Sequence, residues 1–174
     1  MAALGAFRVL CAHRRGPYGV EAWNGRIEGW LSSVVDGLGD GDWYPGRPLL
    51  VTANDDGLRL YNGDTGVVVA RPGGVTRAVF ERADGPVELS PARLSAVETV
   101  HAMTIHKSQG SQVDAVAVLL PGPRSAVLTR ELLYTGLTRA RRSLILCGTE
   151  DSLRAALARP AARATGLDRA LSVP

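Results

Sequence analysis

The segment with the most distinctive chemistry is 104–111, which reads TIHKSQGS and contains Lys107, the only lysine among 20 basic side chains. Several hydrogen-bond donors stand side by side there, and Gly110 follows them. A glycine lets the backbone pass close to a phosphate, and donors crowded at one turn suit an anion. Residue chemistry alone leaves two interpretations equally open: a site for a polyanion or nucleotide, and a solvated loop with no specific role.

A second basic segment is 132–142, which reads LLYTGLTRARR. Its apolar spacing predicts a helix over 129–141, with Thr129 as N-cap and Arg139, Arg141 and Arg142 crowded at the C-terminal end. Cations at that end offset the helix dipole, which is an ordinary structural role. A rigidly held arginine can also stabilise the charge that develops during phosphoryl transfer.

The elements that must position these segments alternate between strands and helices, both before residue 40 and after residue 96. The pattern predicts the following strands and helices: strand 6–12, helix 20–38, strand 100–104, strand 114–120, helix 129–141, strand 143–147 and helix 151–158. Between them, short β-rich runs at 48–52, 58–61, 66–70 and 76–80 alternate with turn signals such as Asn62-Gly63. We therefore expect an α/β fold, a mostly parallel sheet with helices on both faces, made of 1–39 and 97–174 and interrupted by a small β-barrel over 40–96.

The lysine segment starts where strand 100–104 is expected to end. Open α/β sheets bind their ligands at the carboxyl ends of strands. Thr104, His106 and Ser108 offer short donors for phosphate oxygens, Lys107 adds a point charge, and Gln109 can both donate and accept. Position and composition therefore both favour an anionic ligand. His13 and His101 have no partner at useful spacing and receive no role.

Composition sets limits on the function. The chain has 174 residues, is 45% hydrophobic and has a formal charge of +3. From residue 121 onwards there are nine arginines and four acidic residues, a balance of 9 − 4 = +5. An anionic partner fits this excess, although arginine-rich usage typical of a GC-rich genome explains the scattered tail arginines better.

Neither a membrane span nor a metal site is expected. No apolar run approaches the roughly 20 residues that cross a bilayer, and no basic segment followed by a long apolar one opens the chain, so we expect a cytoplasmic protein without membrane contacts. Cys11 and Cys147 each stand in an apolar run without ligand neighbours, which predicts buried free thiols and neither a disulfide nor a metal site.

The two basic segments, 104–111 and 133–141, closely resemble motifs V and VI of superfamily-one DNA helicases, and RecD-like helicases, the exodeoxyribonuclease V alpha subunit family, fit best. Residues 12–20 with Trp23-Asn24 are similar to the entry into the second RecA-like motor domain of that family. Residues 45–48, 54–55 and 60–66 are similar to its inserted SH3-like barrel. The resemblance covers about residues 6 to 149, and the four patches follow the family's order.

The resemblance implies a role for each matched position. Arg139 would be an arginine finger, and Gln109, Gly110 and Gln112 would line the nucleotide cleft between two motor domains. Single-stranded DNA would contact Thr104, His106, Lys107, Ser108 and, from the inserted barrel, Asn62. The cofactor would be ATP with Mg²⁺, held mainly by a first RecA-like motor domain, and the partners would be that domain and RecB-like and RecC-like subunits.

Three features depart from the family pattern. Gln112 replaces a common glutamate, which weakens a sugar-hydroxyl contact, and Gly136 replaces a usual alanine at a cost of about 1 kcal/mol of helix propensity in a helix interior. No G-x-x-x-x-G-K-[ST] loop and no strand ending in paired acidic residues occur in the sequence. We therefore expect half of a 5′-to-3′ helicase motor, a fragment or split subunit that is inactive alone. The alternatives are a non-catalytic remnant that binds single-stranded DNA or a partner, and the helicase region of a conjugative relaxase.

Overall fold

The computed structural model describes residues 5–35, 38, 41–82 and 84–161; the predicted helix or tail after residue 161 lies outside them. In chain order the strands and helices are β1 (Phe7–Cys11), α1 (Val20–Ser32), β2 (Pro48–Val51), β3 (Thr65–Arg71), β4 (Val75–Phe80), β5 (Val87–Leu89), β6 (Val97–Thr99), β7 (Ala102–Thr104), β8 (Val113–Leu119), α2 (Arg130–Leu137), β9 (Ala140–Cys147) and α3 (Glu150–Ala158). Among the described residues, no helix is long and apolar enough to span a membrane.

The first sheet is parallel throughout, with strand order β7-β1-β8-β9. Alternate residues of β1 point to opposite faces. On one face, Val9 and Cys11 pack with Val20, Trp23 and Ile27 of α1. On the other face, the buried cluster joins β1 and β8 to α2 and α3. The predicted parallel sheet with helices on both faces is therefore confirmed.

The second sheet is antiparallel and built from the inserted segment, with strand order β5-β4-β3-β2-β6. It has its own core, in which Leu49, Val68 and Phe80 are buried. A Cβ on Gly66 would lie 2.6 Å from the Phe80 ring, so only glycine lets β3 approach β4 this closely. In the described part of the chain its two edge strands do not pair with each other, so the sheet is open and the closed β-barrel predicted over 40–96 is not confirmed.

The inserted segment differs from the prediction in its strands. Residues 58–61, expected as a strand, form turns with one isolated bridge, Asp55 to Leu60. β5 and β6 were not predicted, because each is only three residues long, which is too short for a repeating pattern of apolar and polar residues. β6 pairs with β2 and begins at residue 97, where the sequence placed the second part of the parallel domain.

The predicted helix 129–141 is too long, and its correction matters for the site. α2 ends at Leu137 with Thr138 as C-cap, and the next residues turn into β9. The backbone carbonyl of Arg139 accepts a hydrogen bond from Val113 N at 3.0 Å, which draws the chain into the parallel sheet. Arg141 and Arg142 therefore lie on a strand and not at a helix end. Helix 20–38 is also shorter than predicted, because α1 ends at Ser32.

One of the two cysteines is not buried. Cys11 lies in the sheet interior, whereas Cys147 is exposed, because β9 is the edge strand of the parallel sheet. Burial raises the pKa of the Cys11 thiol to about 12. The prediction of two buried thiols is thus correct for Cys11 and wrong for Cys147.

Candidate functional site

The segment 104–112 connects opposite edges of the parallel sheet. It leaves β7 at the carboxyl edge and enters β8 at the amino edge. Successive turns carry it across: Ser108 N donates to Thr104 O at 3.2 Å, and Ser111 N donates to Ser108 O at 3.1 Å. Gly110 has φ +84°, a left-handed conformation that favours glycine. Thr104 and His106 therefore lie near the carboxyl edge, and Gln109 to Gln112 lie at the amino edge.

The amino edge contains a cavity of about 550 Å³ between this loop and the inserted sheet. Seven of the nine predicted site residues contribute to its lining: Asn62, Lys107, Ser108, Gln109, Gly110, Gln112 and Arg139. Thr104 and His106 do not line it. Residues of both sheets, which are distant in sequence, therefore converge on one space.

Arg139 is held at this cavity by three hydrogen bonds. Its Nε donates to Thr135 O at 3.0 Å, Nη1 donates to Ser111 O at 3.0 Å, and Nη2 donates to Thr138 Oγ1 at 3.0 Å. These bonds connect the end of α2 to the loop 104–112. Each Nη atom carries a second N–H group that these bonds do not use, so the fixed guanidinium can still donate to an anion in the cavity.

The predicted DNA residues fall into different environments. His106 and Asn62 are exposed, and Thr104 is half-buried. Asn62 lies on the turn before β3, where its backbone N–H donates to Asn54 Oδ1 at 2.8 Å. Ser108 is buried, and its hydroxyl donates to Ile105 O at 2.6 Å, so this side chain holds the turn and offers little surface to a ligand.

Lys107 is paired with an acidic residue of the inserted sheet. Its Nζ lies 3.0 Å from Glu98 Oε2, and Arg14 Nη2 lies 3.1 Å from Glu98 Oε1. Burial alone would raise the pKa of Glu98, but the hydrogen bonds and charges of Lys107 and Arg14 outweigh it and hold the pKa below its usual value. The Glu98 carboxylate therefore connects β6 to the loop after β1 and to the loop 104–112.

Several residues that support the site were missed in the sequence. Arg8 is buried, and its Nη1 donates to the carbonyl of Val100, which fixes the chain between the two sheets; an arginine inside an apolar strand was the available signal. His13 Nε2 lies 2.8 Å from Ser125 Oγ, and His101 Nε2 lies 3.0 Å from Tyr44 Oη. Their partners are 112 and 57 residues away, so sequence spacing could not reveal them.

The hydroxyl of Tyr44 also donates to Glu28 Oε1 at 2.7 Å, which connects α1 to the inserted segment. Burial, together with the hydrogen bond and charge of Glu28, raises the pKa of Tyr44 above its usual value. Burial lowers the pKa of His101 below its usual value, which favours the neutral ring. The hydrogen-bonded side chains of Glu28, Tyr44 and His101 therefore fix α1 to the inserted segment, away from the amino-edge cavity.

Comparison with known proteins gives a consistent result. Residues 99–147 match the family model described as UvrD-like helicase C-terminal domain. The chain is 59% identical over 167 residues to "RecBCD enzyme subunit RecD" of Mycobacterium tuberculosis, covering 96% of this chain and 29% of that protein. It is 32% identical over 157 residues to "ATP-dependent RecD2 DNA helicase" of Deinococcus radiodurans, covering 89% of this chain and 22% of that protein. The chain thus spans under a third of the length of these relatives.

Solved structures agree on the fold. A Pif1 helicase from Bacteroides in complex with ADP-AlF3 and single-stranded DNA superposes with a TM-score of 0.56 at 15% identity, covering 97% of this chain and 45% of that chain. Pif1 from Candida albicans gives a TM-score of 0.52 at 16% identity, covering 88% of this chain and 47% of that chain. Both have a helicase fold that extends well beyond the matched part.

Proposed function

We propose that this chain, which belongs to the RecD-like superfamily-one DNA helicases, supplies the second half of an ATP-driven motor on single-stranded DNA. The observation that carries the proposal is the course of the loop 104–112. It joins a carboxyl edge bearing Thr104 and His106 to an amino edge bearing Gln109 and Arg139. A shift of the loop at one edge is therefore passed along a short, internally hydrogen-bonded segment to the other.

The amino-edge cavity is proposed as this chain's share of a nucleotide cleft. Its donor set fits phosphate: the guanidinium of Arg139, the side-chain amides of Gln109 and Gln112, and backbone at Gly110. ATP with Mg²⁺, when bound mainly by a first motor domain, would supply the phosphoryl group whose hydrolysis drives movement. Arg139 would act as the arginine finger, since three hydrogen bonds already fix its direction.

The carboxyl edge is proposed as the DNA-facing side. Thr104 and His106 offer donors suited to backbone phosphates, and Lys107 adds charge from the adjoining turn. The DNA contact proposed for Asn62 would lie apart from this edge, because Asn62 lines the amino-edge cavity. Since these contacts reach phosphate and sugar and not base edges, binding should depend strongly on salt and little on sequence.

The remaining parts of the proposal concern organisation. The inserted antiparallel sheet is proposed to act as an SH3-like module between 1–39 and 97–174, with β6 as its last strand. A first RecA-like motor domain is the required partner. Relatives are named as RecD subunits of a RecBCD enzyme, which supports RecB-like and RecC-like proteins as further partners.

Reconstitution tests the proposal. The chain is mixed with the separately expressed remainder of the mycobacterial RecD relative, and ATP hydrolysis is measured with and without oligo(dT). We expect DNA-stimulated hydrolysis that Arg139→Ala reduces by about a thousandfold, the scale of an arginine finger. Arg141→Ala, on exposed β9, is the matched control and should retain activity. If Arg139→Ala leaves hydrolysis unchanged, Arg139 is not an arginine finger. If the mixture binds DNA but hydrolyses no ATP, the chain is instead a non-catalytic remnant.

A further inference from the structure

A second cavity, about 410 Å³, lies at the carboxyl edge of the parallel sheet. One wall is the loop after β1, with His13, Arg15 and Tyr18, and the other is the loop after β8, with Arg124 and Ser125. We call it the edge cleft. β1 and β8 are neighbours, but β1 continues into α1 on one face and β8 continues towards α2 on the other. Connections that diverge in this way leave the crevice where open α/β sheets bind ligands.

Both walls of the edge cleft are fixed by hydrogen bonds. His13 Nε2 lies 2.8 Å from Ser125 Oγ and joins the walls at the base. In the first loop, a Cβ on Gly19 would lie 2.5 Å from the Arg15 backbone, so the loop closes tightly. In the second loop, the guanidinium of Arg159 donates to the carbonyls of Ser125 and Leu128. The cleft is therefore formed before any ligand arrives.

The lining combines cations with one aromatic ring. Arg15 and Arg124 are exposed, and the residue Tyr18 is 49% exposed. No carboxylate lines the cleft within the described residues; Glu21 lies 3.6 Å from Arg15, but both side chains are largely in solvent, so the pairing is weak. Arginines beside a half-exposed ring are suited to a nucleotide, with phosphate on the guanidinium groups and the base stacked on the ring.

The edge cleft lies along the same edge of the sheet as Thr104 and His106. β7, β1 and β8 are consecutive in the sheet, and Ile105 N donates to Cys11 O at 2.9 Å, which joins the ends of β7 and β1. We propose that the edge cleft binds one further nucleotide of the same single-stranded DNA, with Arg15 and Arg124 on its phosphate and its base stacked on Tyr18. This inference rests on the proposed function of the carboxyl edge.

Fluorescence of 2-aminopurine placed at successive positions of a single-stranded oligonucleotide tests the stacking. Binding of the chain should quench the fluorescence of 2-aminopurine at one position of the oligonucleotide. The Tyr18→Phe variant should quench it equally, whereas Tyr18→Ala should not quench it and should bind the oligonucleotide about fivefold or more weakly. The double variant Arg15→Ala with Arg124→Ala should weaken binding of long oligonucleotides only. Tyr134→Ala, which removes another exposed tyrosine on α2, is the matched control and should change nothing.

The outcomes separate this inference from the proposed function. His106→Ala should weaken binding of oligonucleotides of every length, because it acts at the carboxyl edge itself. If His106→Ala weakens binding while the Tyr18 and arginine variants bind as the parent chain does, the edge-cleft inference is wrong and the proposed function stands. If the parent chain binds no single-stranded DNA at all, both fail. Quenching of free 2-aminopurine mononucleotide to the same extent would identify a mononucleotide pocket and overturn the inference.

Discussion

Glu98→Gln tests whether the inserted sheet restrains the DNA-facing cations. In the structure the Glu98 carboxylate holds Lys107 at 3.0 Å and Arg14 at 3.1 Å. Glutamine keeps the size and hydrogen bonding of the side chain but removes its charge. We therefore expect the two cations to turn towards phosphates, and single-stranded DNA to bind more tightly at low salt.

The magnitude follows from counterion release. Each phosphate neutralised on a single strand steepens the slope of log K against log salt by about 0.7. If only Lys107 is released to a phosphate, the slope should steepen by about 0.7; if Arg14 is released too, the total steepening should be about 1.4. Between about 50 and 200 mM salt, these slopes correspond to an additional loss of affinity of roughly threefold to sevenfold.

The assay is fluorescence anisotropy of labelled oligo(dT) across a salt series. Glu88→Gln is the matched control, because Glu88 lies on the same inserted sheet and pairs with Arg71. It changes net charge equally and should leave the slope unchanged. If the salt slope steepens equally in both variants, the change in net charge alone explains the effect. If it does not steepen in Glu98→Gln, Glu98 does not restrain Lys107 and Arg14.

Proton linkage gives this experiment a pH control. The pKa of Glu98 is lowered in the folded chain, so its ion pairs are present above its usual pKa and are lost as pH falls through the lowered value. The difference between Glu98→Gln and the parent chain should therefore stay constant between about pH 6 and 8. A difference that changes over this range would point to another titrating group.

Three further outcomes are expected. Gly136→Ala should raise the free energy of unfolding by about 1 kcal/mol in urea titration, because alanine favours helix and the added methyl lies 3.4 Å from its neighbours, at ordinary contact distance; a loss of stability would contradict this packing. A thiol reagent should label Cys147 in the native chain and Cys11 only after denaturation, and rapid labelling of both would show that β1 is not buried. The exposed edge strand β9 should make the chain associate as its concentration rises in sedimentation, and Ile145→Lys should reduce this association; a chain that does not associate, or a variant that associates equally, would exclude edge-to-edge pairing through β9.

The parallel sheet was predictable because its central strands are nearly continuous apolar runs, each interrupted by one charged residue. Residues 6–12 and 114–120 match β1 and β8 within two residues at each end, since strands covered on both faces need apolar side chains throughout. The segment 104–111 was also identifiable, because its single lysine and adjacent donors stand out in an arginine-rich chain. Local composition was sufficient for both.

The arrangement of the site depended on contacts that local patterns do not contain. Arg139 was expected on a helix, but pairing between β8 and β9 ends α2 earlier and places the arginine in a turn. The sequence placed only the start of the loop 104–112, at the carboxyl edge, and gave no position for its second half, which lies at the amino edge. Glu98 was not expected at all, because its role comes from a sheet whose short strand β6 carries no sequence signal.

Amide hydrogen exchange with and without oligo(dT) tests the central claim most directly, because it reports on both edges of the sheet in one experiment. We predict that DNA protects 13–18, 104–107 and 121–125 at the carboxyl edge and leaves 109–112 and 139 at the amino-edge cavity unprotected. Protection confined to 109–112 and 139 would place DNA in the proposed nucleotide cleft and contradict the division of roles between the two edges.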